Sequence, residues 1–209
     1  MLTVQLQNVA KRYKWEWIFR QLSYTFEAGQ SYAIEGQNGA GKSTLMQIIA
    51  AYLSPSEGSA QYQLDGKTID GENLYTHAAM AAPYTGLIEE YTLTEMLDFQ
   101  QQFKRWQNAQ QRDDIARALG FSRNNLQKPL KFFSSGMRQR VKLALAICSD
   151  APLLLLDEPT ITLDTQGADW FQSLLQSHNA ERKRTLVIAS NVESDFAQCS
   201  QRLRLWDYK

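Results

Sequence analysis

From residue 2 the chain alternates apolar and polar positions, first in LTVQLQ and again in LSYTFEAG at 22–29. That is the pattern of strands with one face in a core and the other in water. SYAIEG at 31–36 is a short apolar run that breaks into glycines, and a helix is predicted near residues 43–52. Residues 54–69 then combine a Pro/Gly turn, a strand and an Asp-Gly hairpin signal. The alternation disappears between 92 and 126, where Gln, Leu and charged residues recur at helical spacing. Apolar runs return in APLLLLDEP at 151–159 and RTLVIAS at 184–190, each followed by a helix candidate, and the chain closes on RLRLWDY. Apolar runs alternating with helices predict a mostly parallel sheet covered on both faces. The fold class is therefore α/β, with an antiparallel β-layer at the start and an inserted helical subdomain. One domain over 1–209 is expected, its core and β-layer near 1–82 and 150–209 and its helical part near 83–149.

Charge and cysteine usage narrow the partners. Lys+Arg and Asp+Glu both total 22, so no basic excess points to nucleic acid, and none is expected as a partner. Cys148 and Cys199 lie far apart, and with only His77 and His178 no zinc set is available, which predicts two reduced thiols. The N-terminal residues lack a signal peptide's apolar block and no run reaches the length of a membrane span, so the chain is expected to be soluble and cytoplasmic.

The chemistry is carried first by GQNGAGKST at 36–44, which satisfies G-x-x-x-x-G-K-[ST] between a predicted strand and a predicted helix. In a phosphate loop of this kind the backbone N–H groups of Gly36, Asn38, Gly39, Ala40, Gly41, Lys42, Ser43 and Thr44 cradle phosphate. The Lys42 amine supplies charge to the β- and γ-phosphates, and the Ser43 hydroxyl ligates Mg²⁺. LLLLDE at 153–158 is a buried strand ending in two carboxylates. Asp157 is assigned to the metal and its waters, and Glu158 to orienting or deprotonating the attacking water. ATP and Mg²⁺ are the expected cofactors, with Lys42 and Glu158 as catalytic residues. FSSGMRQR at 133–140 is a polar, glycine-bearing turn opening a basic helix, a second end that attracts anions.

These three motifs together resemble the ATP-binding cassette (ABC) ATPases, and the resemblance covers essentially the whole chain. The family signature Leu-Ser-Gly-Gly-Gln is matched by Phe133-Ser134-Ser135-Gly136-Met137, with Arg138 to Arg140 following. The resemblance implies a P-loop NTPase core and a head-to-tail dimer of two copies. In that dimer Ser134 and Gly136 complete the nucleotide site held by the other copy's phosphate loop. It also implies that Tyr13 stacks on adenine, with Trp15 and Trp17 as competitors and plain core packing as the other reading. Leu163 and Asp164 match the end of the family's D-loop, where Ile161 replaces a usual serine.

Two departures are larger. Pro83 stands where the family's Q-loop glutamine is expected, and Asn191 where its switch histidine is expected. The resemblance thereby adds Asn191 to Lys42 and Glu158 as a catalytic residue, and two readings of it stand together, a neutral γ-phosphate donor and a helix N-cap. The implied function is the ATP-binding and ATP-hydrolysing subunit of an ABC transporter, peripheral to the inner face of a membrane through a separate integral-membrane subunit. That subunit would dock near Leu87, Ile88 and Tyr91, which equally suit a core. A soluble non-transport ABC ATPase and a slow-hydrolysing, nucleotide-gated interaction module are the alternatives.

Overall fold

The computed structural model describes residues 1–179 and 184–209. It contains a four-stranded antiparallel sheet in the order β2-β1-β4-β5, from β1 (Leu2–Tyr13), β2 (Glu16–Phe26), β4 (Glu57–Leu64) and β5 (Lys67–Ile69). In β1 the alternation predicted from sequence places Leu2, Val4 and Leu6 in the core. The β4–β5 turn is Asp65-Gly66, both at positive φ (49° and 78°), as a tight two-residue hairpin requires.

The second sheet is parallel, in the order β6-β7-β8-β3-β9, from β3 (Ser31–Glu35), β6 (Ala78–Ala81), β7 (Leu153–Asp157), β8 (Thr185–Ala189) and β9 (Gln201–Arg204). Every residue of β7 and β8 is buried. Strands covered on both faces need no polar alternation, which is why these segments read as unbroken apolar runs. Helix α1 (Lys42–Ile49) inserts Leu45, Met46, Ile48 and Ile49 into the core that the antiparallel sheet shares with the parallel one.

The other face of the parallel sheet is covered by α2 (Leu93–Phe103), α3 (Arg112–Ala118), α4 (Arg123–Leu126), α5 (Ser135–Ile147) and α6 (Thr165–Asn179). Leu93, Leu97, Ile115, Leu119, Val141 and Phe171 pack in one cluster with Leu154 and Leu156 of β7. Helix α2 opens with a capping box: the Glu95 amide donates to the Thr92 hydroxyl (3.2 Å), and the Thr92 amide donates to the Glu95 carboxylate (2.7 Å). Among the described residues, no helix is long and apolar enough to cross a membrane.

Candidate functional site

The strand order positions the site. β8 lies between β7 and β3, and its last residue, Ala189, is in register with Asp157 on one side and Ile34 on the other. The carboxyl ends of three strands therefore release three segments side by side: the phosphate loop after β3, Glu158 after β7, and Ser190-Asn191 after β8. Ligands of open parallel sheets bind at such ends. These segments border a cavity of about 600 Å³ lined by residues 37–44 together with Ile18, Glu158, Thr160, Ile161, Asn191 and Val192.

Gly41 enters α1 at φ 99°, a conformation L side chains rarely adopt, and a Cβ there would lie 2.3 Å from the Ile18 side chain. The glycine lets the loop fold tightly over β2 and aims the first turn of α1 into the cavity. The N–H groups of that turn have no acceptors within the helix. The Ala40 amide is engaged, donating to the Gln37 carbonyl (3.0 Å).

Lys42 is nearly fully buried. Its Nζ donates to the Gly36 carbonyl (2.8 Å) and to Asn191 Oδ1 (2.9 Å), and lies 3.3 Å from Glu158 Oε1. Asn191 Nδ2 donates to Asn38 Oδ1 and to Glu158 Oε1 (3.2 Å). Lysine, glutamate and asparagine thus form a closed ring over the phosphate loop, from positions 42, 158 and 191. Glu158 sits in the left-handed region at φ 47°, and its amide donates to the Ala189 carbonyl (2.7 Å). A non-glycine residue there costs on the order of 1–3 kcal/mol and persists only where its surroundings impose it. Asn191 caps nothing: the short turn after it runs Glu193–Phe196 and begins from Val192. The N-cap reading of Asn191 is thereby corrected, because its amide is already committed to Lys42, Asn38 and Glu158.

Asp157 is completely buried, and neither carboxylate oxygen has a hydrogen-bond partner among the described residues. Burial pushes its carboxyl pKa up; the nearby Ser43 and Tyr84 hydroxyls and the Lys42 charge pull the other way, and the Glu158 charge adds to the rise. An unpaired buried carboxylate costs several kcal/mol in principle and calls for a counter-charge. A hydroxyl and a carboxylate side by side make a hard, oxygen-only donor set of the kind Mg²⁺ takes. Ser43 and Asp157 therefore fit a divalent cation.

The second anion-seeking end is elsewhere. Ser134 caps α5, its hydroxyl accepting from the Met137 amide (3.2 Å). A Cβ on Gly136 would lie 3.1 Å from the Thr162 carbonyl, so the missing side chain lets the 159–164 loop lie against α5. Neither residue lines the phosphate-loop cavity. Tyr13, half-exposed at the β1–β2 turn, is likewise outside that lining, whereas Ile18 is within it. Trp15 is 92% exposed and Trp17 is flanked by the guanidinium groups of Arg12 and Arg20. Leu87, Ile88 and Tyr91 are half-buried and pack against the helical core, which favours the core reading at those positions. Exposed Tyr52 and Phe103 flank, with Leu87, a groove of about 200 Å³.

Four residues of the site were not legible as such. Ile18 sits in an ordinary strand pattern. Tyr84 follows Pro83 and brings its hydroxyl toward Asp157 and Gln47. Gln139 reaches from α5 to donate to the Pro159 carbonyl (2.8 Å). Asp195 looks like a solvated acid in sequence but is fully buried. None of the four carries a local sequence signal, since each acts through tertiary contact alone.

Comparison with known proteins agrees with this geometry. Residues 19–161 match the family described as ABC transporter. An uncharacterized ABC transporter ATP-binding protein, YybJ of Bacillus subtilis, is 31% identical over 92% of this chain and 87% of its own. The thiamine import ATP-binding protein ThiQ of Shigella boydii is 34% identical over 89% of this chain and 82% of its own. The cytochrome c biogenesis ATP-binding export protein CcmA of Haemophilus influenzae is 29% identical over 99% and 96%. Among solved structures, the dimeric bacterial ABC transporter cassette MJ0796 superposes with a TM-score of 0.80 over 97% of this chain and 94% of its own, at 23% identity. A phosphate loop, an acidic strand end and a second helix terminus, set on this sheet order and matched over most of the chain, make this protein a member of the ABC transporter family, an ATP-binding and ATP-hydrolysing cassette.

Proposed function

We propose that two copies of this chain close head to tail on ATP, and that closure and hydrolysis drive a separate integral-membrane subunit of a transporter. The observation that carries the reading is that the capped end of α5, with Ser134 and Gly136, lies outside the chain's own phosphate-loop cavity. A helix terminus of this kind attracts an anion, and in a head-to-tail pair the other copy's γ-phosphate supplies it. Ile161, 60% exposed beside the cavity, is then covered by the second copy.

Within each site the roles follow from the ring over the loop. When ATP arrives, its phosphates displace Glu158 from Lys42, and Lys42 becomes their cationic contact. Glu158 is thereby freed to accept a proton from the attacking water as oxygen adds to the γ-phosphorus and the bridging β–γ oxygen leaves. Asn191 turns its Nδ2 donor to the γ-phosphate as charge builds there. Ser43 and Asp157 would hold Mg²⁺, which would offset phosphate charge. The groove beside Tyr52 and Phe103, between α2 and β6, suits an amphipathic segment of the membrane partner.

A mixing experiment tests the composite site. Lys42→Ala removes the cation of one site. Ser134→Asp keeps a good N-cap but sets a negative charge against the partner's phosphate. Each variant alone is expected to be inactive. Mixed in equal amounts, they leave one intact site in each mixed pair and recover about a quarter of the wild-type rate if subunits exchange at random. A mixture as inactive as its components contradicts the reading.

A further inference from the structure

Asp195 lies in the short turn Glu193–Phe196 and does not itself line the phosphate-loop cavity, whereas Thr160, which it holds, does. Its carboxylate is fully buried and accepts from two hydroxyls on different segments. Thr160 Oγ1 donates to it, 3.0 Å from each oxygen, and Ser190 Oγ donates to Oδ2 (2.6 Å). Thr160 stands two residues beyond Glu158, and Ser190 immediately precedes Asn191. The Ser190 oxygen in turn accepts from the Val192 amide (3.0 Å), so the backbone on both sides of Asn191 is pinned. On the other side, the Pro159 carbonyl next to Thr160 accepts from Gln139 of α5.

A carboxylate taken out of water is costly unless such donors compensate it. Burial raises the Asp195 pKa, the two hydroxyls oppose that rise, and the Glu158 charge adds to it. A core position here would be filled more cheaply by an apolar side chain. The retained acid has one evident use, which is to hold two loops in register.

We infer that Asp195 is a positioning residue that clamps the loop carrying Glu158 to the loop carrying Asn191, setting the distance at which the two side chains meet the γ-phosphate. The clamp also connects α5, through Gln139 and Pro159, to Asn191, so contact of a second copy with α5 reaches the chemistry through Asp195. The inference rests on the reading of Asn191 as a γ-phosphate donor.

The test measures steady-state ATPase and the affinity for a fluorescent ATP analogue on the purified chain. The variants are Asp195→Asn, Thr160→Val, Asn191→Ala and the double variant Asp195→Asn with Asn191→Ala. Asp195→Asn and Thr160→Val should each lower kcat by about tenfold, with analogue affinity held within about twofold, as expected when only late-forming contacts are lost. Added to Asn191→Ala, the Asp195→Asn change should cost little more, because it acts through the group already removed. A merely structural acid would instead lower the thermal midpoint and leave kcat intact, or its effect would multiply with that of Asn191→Ala; either result overturns the inference. Should Asp195→Asn fail to fold, Thr160→Val, which keeps the Ser190 bond, decides alone. If Asn191→Ala lowers turnover and neither clamp variant does, the inference fails while the reading of Asn191 survives. Full turnover in Asn191→Ala defeats both.

Discussion

At the scale of single residues, the most informative position is Asn191. Its amide oxygen accepts from Lys42 and its amide nitrogen donates to Glu158, so one neutral side chain bridges the Lys42 cation and the Glu158 carboxylate. An imidazole could become a cation there, whereas an amide cannot. Loss of a donor to a transferring phosphoryl group ordinarily costs up to ~10²–10³ in rate, and loss of a neutral one less. Asn191→Ala is therefore expected to lower turnover by about tenfold or more with ATP affinity nearly unchanged. Because Asn191 caps no helix, its thermal midpoint should move by less than ~2 °C. Paired melting and ATPase curves on one preparation check both halves. The loop glycines, Lys42 and Asp157-Glu158 were readable because their chemistry demands fixed spacing along the chain. Asp195 was not, since SNVESDF at 190–196 gives no hint that its second acid is buried. The left-handed backbone of Glu158 was equally silent, because strain at a non-glycine residue leaves no compositional trace.

At the scale of elements, the patterns that read well are those dictated by burial. β7 and β8 are apolar along their whole length because both faces are covered, and the Asp65-Gly66 hairpin is announced by its turn residues. The helical part read less well. Helical spacing across 92–126 marks a helical subdomain but not where one helix ends and the next begins, and α2, α3 and α4 are separate. The break after α2 places Asn108 and Ala109 at positive φ (52° and 54°) without a glycine to signal it. The break is anchored by buried Trp106, which bridges to Ser149, a contact that sequence alone cannot reveal.

Lys104, at the end of α2, is caught in the same packing. Its amine donates to the Ala78 carbonyl at the start of β6, and burial lowers its pKa from 10.5 to about 8. The folded state thus binds the proton less well than the unfolded chain. Below pH 8 the charge is present in both states and the folded one bears the cost; from about 8 to 10.5 that cost is relieved, so stability rises with pH. Lys104→Met keeps the stem in the groove and removes the titration. Denaturant midpoints followed from pH 7 to 10 should climb in the wild type relative to this variant. Parallel profiles would show that the Lys104 amine reaches water when charged.

At the scale of the molecule, two sheets and a helical layer bring three strand ends to one edge, while Ser134 and Gly136 at the α5 terminus stay outside the cavity formed there. The strand order β6-β7-β8-β3-β9 could not be read from the chain, yet it is what sets Asn191 between the phosphate loop and Glu158. In the proposed pair the α5 end of one copy and the cavity of the other form one site, and dimerisation on ATP is the central claim. Its most direct test is the molar mass of Glu158→Gln, measured by light scattering after size exclusion with and without Mg-ATP. The amide keeps the shape of the side chain but cannot take a proton from water, so a closed pair should persist. We expect a monomer without nucleotide and doubled mass in Mg-ATP. A variant that binds ATP and remains monomeric at high concentration would contradict the account.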